Sequence, residues 1–199
     1  MTTSANTYHA EPVTTTKKII LASESPRRKE LLAQLVVLFD VVPSGIEELP
    51  WPNEAPASYV LRNASDKARA VFERTGGVVL SADTIVVCDE HILEKPADAD
   101  HARRMLRMLS GRWHEVLTGV CILTDVRESA RVVRTRVQFR SLSDAQIDGY
   151  VATGEPMDKA GGYAIQGGAA PFIEQIDGSY SNVVGLPLEV LKELLAAHT

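Results

Sequence analysis

Residues 78–89, VVLSADTIVVCD, set the tightest limit on what this chain can fold into. The run is apolar almost throughout and rich in β-branched residues, and Gly76 and Gly77 precede it. Such a run lacks the alternation of a strand with one wet face, so it reads as a central strand buried on both sides. One carboxylate, Asp83, interrupts it. A buried aspartate is rare unless it is paired or bound to a metal.

The flanking segments supply the rest of a mixed sheet and its helices. KKIILAS (17–23) reads as a short buried strand, after which Ser25 offers an N-cap and Pro26 a first helical position. FDVVPSG (39–45) reads as a strand ending in a turn, and the Pro-rich acidic stretch after it as a surface loop. Val60, Leu61, Ala64, Ala68, Val71 and Phe72 recur at helical spacing, so a long helix is expected over roughly 57–74. HILEK is a partner strand after a tight turn, and DADHARRMLRMLSG a helix with Ala102, Met105, Leu106 and Leu109 inward. Residues 113–125 and 130–140 form a hairpin. Ser143 and Gln146 make a capping box for a helix to about Val151. A Gly-rich loop over 154–170, with a strand-like piece inside it, leads to a strand at PFIEQIDGS and a C-terminal amphipathic helix. The expected class is α/β, with a mixed central β-sheet flanked by helices.

Composition excludes several functions. The 199 residues suit one domain and carry 21 Lys and Arg against 26 Asp and Glu, a formal charge of −5. A protein without a global basic field is a poor general nucleic-acid binder, so any anionic ligand needs a local cationic pocket. Cys88 and Cys121 sit in apolar runs and read as buried, reduced thiols, and the five histidines are scattered without metal-site spacing. No run approaches the ~20 apolar residues of a membrane span. Residues 1–16 are polar and lack both an apolar core and any Arg, so they read as a loose leader rather than a targeting segment, and the expected compartment is the cytoplasm.

Against this background, SESPRRK (23–29) is unusual. It places Arg27, Arg28 and Lys29 in the first turn of a helix, where the partial charge is positive and acidic side chains are favoured. Either the three cations face solvent, or backbone N–H groups and forked guanidinium donors together bind a phosphate. On the second view the helix start is unfavourable when empty, and Arg28→Ala is expected to leave the stability of the empty protein unchanged or slightly higher. Asp83 is either bonded to backbone at a β-bulge or is a general base or Mg2+ ligand, with the Thr84 hydroxyl beside it. Lys67 and Lys95 are surface lysines or further phosphate contacts, and Glu47 and Glu48 are an acidic turn or partners of Asp83 at a metal. Gln166, in the Gly-rich loop, offers an amide suited to a base edge. There is no GxxxxGK[ST] phosphate loop and no GxSxG elbow. The chemistry that joins these parts is metal-assisted hydrolysis of a nucleotide phosphoanhydride.

The sequence resembles the Maf (septum-formation) nucleotide pyrophosphatases from Ile19 to about Leu195. The resemblance rests on LASESPRRKELLAQL, SADTIVV, LEKPADADHARRMLRMLSG, DKAGGYAIQG and GSYSNVVGLPLEVL, in the family's order and spacing. It implies a mixed α/β fold with two lobes around a cleft, spanning 17–199 and shared with inosine-triphosphate pyrophosphatases. It also implies cleavage of nucleoside triphosphates to monophosphate and pyrophosphate with Mg2+ or Mn2+, and a role in nucleotide-pool cleaning or cell-division arrest. By the same resemblance Asp83 is the catalytic carboxylate. Glu48 and Asp83 hold metal, while Ser23, Arg27, Arg28, Lys67 and Lys95 bind phosphates. Arg27, Thr84 and Gln166 govern substrate choice. ADT followed by IQG is similar to the subgroup preferring dTTP and UTP, and the sister subgroup acting on 7-methyl-GTP carries other residues there. Ser81 departs from the family's usual Gly. A non-catalytic nucleotide-binding regulator is the rival expectation. The partner expected is the nucleoside triphosphate itself, with neither nucleic acid nor membrane, and a homodimer is compatible with the pattern.

Overall fold

The computed structural model of the protein describes residues 18–36 and 38–198, so the leader expected at 1–16 lies outside the described residues. The apolar run forms β3 (Val78–Cys88), with all but one of its residues buried. Two short strands precede it, β1 (Ile19–Leu21) and β2 (Phe39–Val41). Three long or medium strands follow in the sheet, β5 (Trp113–Leu123), β6 (Glu128–Phe139) and β7 (Ile173–Asp177). The order across the sheet is β2-β1-β3-β5-β6-β7, and β4 (His91–Leu93) pairs with β3. β1 runs parallel to β2 and β3, and every other pairing is antiparallel. The sheet is therefore mixed, as expected.

One edge of β3 is shared by two short strands. β1 pairs with Val78–Leu80, and β4 pairs with Val86–Cys88. Between these partners, residues 81–85 have no strand beside them on that edge among the described residues, while β5 accompanies β3 without a break on the other. Asp83 and Thr84 fall in this gap. The β3–β4 turn is tight because Asp89 and Glu90 both take positive φ, 47° and 66°.

Side-chain alternation along β3 divides the core. Val79, Ile85 and Val87 face helix α2 (Pro56–Thr75) and pack with its Tyr59, Val60, Ala64, Ala68 and Val71. Ser81 faces the same helix and donates to the Ala64 carbonyl at 2.5 Å, so the residue standing where the resemblance expects Gly contributes a bond rather than a gap. On the opposite face, Val78, Leu80 and Ala82 meet α1 (Pro26–Leu32) and the C-terminal helix α6 (Leu188–Ala196). Farther along that face, Val86 and Cys88 meet α3 (Ala99–Leu109) and α4 (Asp144–Val151). The capping box of α4 is present as read. The short helix α5 (Tyr180–Val184) was not expected. Ser179 caps it, and its apolar content is too short to carry a helical period. The strand-like piece expected within 154–170 is absent. That segment holds two 3-10 turns, Glu155–Asp158 and Ala160–Gly162, and a further turn over 165–169, with Gly154, Gly161 and Gly162 at positive φ breaking any extended run.

Helix α2 lies unusually close to the sheet at one place. A Cβ on Gly119 of β5 would stand 2.3 Å from the Val60 carbonyl oxygen and 3.0 Å from Leu61 Cα. Gly119 is also the registered partner of Asp83. Backbone cannot rotate away as a side chain can, so Gly119→Ala should lift α2 and lower stability by about 1–3 kcal/mol. A urea unfolding midpoint shifted downward, with activity falling alongside it, is the expected result.

Candidate active site

Helix α2 delivers a polar stripe into an otherwise apolar interface. Tyr59, Asn63 and Lys67 are successive i, i+4 neighbours and all three are buried, so one helix face aims them at the same point on β3. Asp83 meets them. Lys67 Nζ donates to Asp83 Oδ1 at 2.8 Å, and Asn63 Nδ2 donates to Asp83 Oδ2 at 3.0 Å. Lys67 Nζ also lies 2.7 Å from Glu48 Oε2, so one ammonium bridges two carboxylates. Tyr59 OH donates to Glu94 Oε1 at 2.7 Å, and the Glu48 carbonyl, 3.3 Å away, is the alternative acceptor for the same proton.

Burial disfavours an ionised Asp83, but the Lys67 ammonium, with Glu48 and Arg28 assisting, holds it at about 2. Glu48 moves the other way. Burial, then the adjacent Asp83, raises it above the usual carboxylate range, with Lys67 opposing. Asp83 is thus the settled anion of the pair. It sits in a regular ladder rather than at a β-bulge, and its carboxylate is met by side chains.

The second wall is the start of α1. Ser25 is the N-cap, accepting from the Arg28 backbone N–H, and Pro26 opens the helix as read. The arginines differ from the simple picture of idle cations. Arg28 Nε donates to the Gly185 carbonyl at 2.9 Å, Nη1 to Ser23 Oγ at 3.3 Å, and Nη2 to Thr84 Oγ1 at 3.1 Å. Desolvation lowers its pKa, with Asp83 and Glu48 pulling it back up. Arg28 therefore braces α1 against β3 and the end of α5, and its removal would cost these bonds. The expectation of neutral or raised stability for Arg28→Ala overlooked these long-range acceptors. Arg27 reaches across the cavity to Asp158, 3.6 Å away.

Ser23, Arg27, Arg28, Glu48, Lys67, Asp83, Thr84, Lys95 and Gln166 all line one cavity of about 590 Å³. That volume suits a nucleotide-sized ligand. Thr84 faces away from Asp83 across the strand and shares its hydroxyl with Arg28 and with Thr118 Oγ1 at 3.0 Å. Lys95 and Gln166 are exposed on the far side. Glu47 is exposed and does not line the cavity, so of the two acidic neighbours Glu48 alone joins the site.

Sequence reasoning passed over Asn63, Tyr59, Glu94 and Lys159, all close to this chemistry. The signal for the first two was present: a Tyr-Asn-Lys stripe at spacing four, on the face that the apolar period makes internal. Lys159 had no such signal, because irregular turns bring it to the cavity.

A family model described as "Maf-like protein" matches residues 18–198. The chain belongs to the Maf family. Among relatives of this Maf protein, the "dTTP/UTP pyrophosphatase" of Anaeromyxobacter dehalogenans is 54% identical over 89% of the chain and 92% of its own length. The protein of that name from Geobacter metallireducens is 56% identical, covering 89% and 94%, and that from Thermococcus onnurineus is 51% identical, covering 88% and 95%. The structure of the Staphylococcus aureus Ham1 protein aligns over 92% of this chain and all of its own at 13% identity and a TM-score of 0.49, too distant to bear on the site.

Mg2+ and Mn2+ take oxygen ligands, and one or two carboxylates with substrate phosphates are a usual set. Asp83 and Glu48 supply two carboxylates that converge on one point, so their chemistry fits, although that point is taken by Lys67 Nζ. Among the described residues no group of three or more His, Cys, Asp or Glu forms a ready cation cage.

Lys67 also sets a stability window. A carboxylate with a depressed folded pKa lends stability above its unfolded value, lost as pH falls through the folded one. For Asp83 that loss runs from about 4, its unfolded value, down to about 2. Glu48, shifted upward, has the opposite sign. Lys67→Met leaves the buried Asp83 and the more exposed Glu48 without their cation and should lower stability at pH 7 by about 3–5 kcal/mol, chiefly through Asp83. The deficit should narrow at pH 4, where the unpaired acids take up protons. Urea unfolding of both proteins at the two pH values measures this.

Proposed function

We propose that this Maf protein is a nucleoside triphosphate pyrophosphatase that hydrolyses dTTP and UTP to the monophosphate and pyrophosphate. The observation that carries the reading is the junction in one cavity of a buried, ionised Asp83 with Arg27, Arg28, Lys67 and Lys95. A binding protein has no need of a buried carboxylate facing a polyanion, since the two repel. Relatives bearing the dTTP/UTP name at 51–56% identity support the substrate class.

Water attacks the α-phosphorus, the bond to the bridging oxygen breaks, and pyrophosphate leaves. Asp83 takes hydrogen bonds from the water and accepts its proton, with Asn63 and Lys67 fixing the carboxylate so that it does not rotate. Arg28, already oriented by Ser23, Thr84 and Gly185, presents its charge to the phosphates at the start of α1. Lys67 and Lys95 offset charge on the leaving pyrophosphate, and Gln166 meets the base. Glu48 and Asp83 would hold a divalent cation, which supplies charge neutralisation at the phosphates and acidifies bound water.

Pyrophosphate release measured on dTTP, UTP, CTP, GTP and 7-methyl-GTP should favour the first two. Preference for the methylated purine would overturn the substrate assignment, and absence of turnover on all five would overturn the enzyme. Asp83→Asn should lower kcat by about 10²–10⁴. Chelation should abolish turnover and Mg2+ or Mn2+ restore it, with Glu48→Gln needing more metal for half-maximal rate.

A further inference from the structure

Gly167 and Gly168 follow Gln166, and nothing in the reaction just described requires them. Both press against one pair of side chains. A Cβ on Gly167 would stand 2.1 Å from Glu155 Oε1, and one on Gly168 3.2 Å from the Tyr150 ring. The Gly168 N–H donates to both Glu155 carboxylate oxygens at 3.1 Å. Tyr150 OH donates to Glu155 Oε1 at 2.8 Å and accepts from the Ala164 N–H at 3.1 Å. One phenol–carboxylate pair therefore holds the backbone two residues before Gln166 and two residues after it.

The pair is itself anchored. Tyr150 is buried on α4 with its ring edge-on to Phe172, centroids 5.4 Å apart, and Lys159 Nζ donates to the Glu155 carbonyl at 2.7 Å. Burial, then Glu155, raises the Tyr150 pKa, so the phenol keeps the proton it donates. Gln166 stands between the two fixed points on the cavity wall, and its side chain makes no hydrogen bond to any described residue.

We propose that Glu155 and Tyr150 are positioning residues that set base preference by holding the 164–168 loop, so that the Gln166 amide is presented to the base in one orientation. The proposal rests on reading the cavity as a pyrimidine triphosphate site. Its physical basis is that hydrogen-bonding groups discriminate between bases only when their donors and acceptors are fixed beforehand. A loop already ordered also gives up less entropy when the ligand binds. A side chain at Gly167 would displace the carboxylate, and one at Gly168 would crowd the Tyr150 ring.

Glu155→Gln keeps the size of the side chain but cannot accept the Gly168 N–H at both terminal atoms. The variant should raise KM for dTTP about 10-fold, keep kcat within about 3-fold, and narrow the kcat/KM preference for dTTP over dCTP and dGTP. Tyr150→Phe, which deletes only the hydroxyl and keeps the ring in its core, should shift the same quantities in the same direction. Hydrogen–deuterium exchange at the Ala164 and Gly168 amides should quicken in both variants while the sheet stays protected. A uniform fall in kcat across all nucleotides at unchanged KM, or unaltered exchange at those two amides, would overturn the proposal. Failure of the functional reading appears separately, as a wild type that hydrolyses none of the triphosphates, and that result removes the selectivity role as well.

Discussion

The ammonium of Lys67, set between Asp83 and Glu48, is the interaction on which the site depends. Asp83 is 6% exposed in the middle of an apolar strand, where an unpaired carboxylate would protonate or unfold its surroundings. Lys67 keeps it ionised and Asn63 takes its second oxygen. Both donors come from α2, which lies close over the sheet at this point. Gly119 removes the side chain that would hold the helix off, and it does so directly across the ladder from Asp83. A missing Cβ on one strand thus makes room for the helix whose lysine keeps a carboxylate on the next strand ionised.

The place for a ligand follows from strand lengths. β1 and β4 are three residues each and share one edge of an eleven-residue β3, so they leave an interval between them. Loops from both sides border that interval: the start of α1, the segment carrying Glu48, Lys95 after β4, and the turns bearing Asp158 and Gln166. Alternation along β3 sends Asp83 to the α2 side and Thr84 to the Arg28 side. The site therefore has a carboxylate face and a cation face separated by one residue of strand.

Much of this was legible in the sequence. The apolar run, the Ser25 cap with Pro26, the Ser143–Gln146 box and the strand pair at 113–140 all came from local patterns, and each is present where local physics puts it. Asp83 was legible because a lone acid in an apolar run needs a partner. Its partners were less so. Lys67 looks like any helical lysine until the helix face is known, and Arg28 looks like an unfavourable cation until its acceptors, at residues 23, 84 and 185, are seen. The segment 154–170 was misread in part. Positive-φ glycines break its extended runs, and the contacts that shape it come from Tyr150, outside the segment, and from Glu155 at its start.

By itself the sequence determined most of the elements, the central strand, the acid within it, and, through long motifs in order, the family. Those properties depend on neighbours along the chain, where periodicity, capping and composition act over a few residues. Only the tertiary structure decided which cation neutralises Asp83, that Arg28 is bonded to residues 23, 84 and 185, and that the loop carrying Gln166 is bonded to the Glu155 carboxylate. These are distances across the fold. They are set by a helix resting on a glycine and by loops meeting at a gap between two short strands, and no local rule contains them.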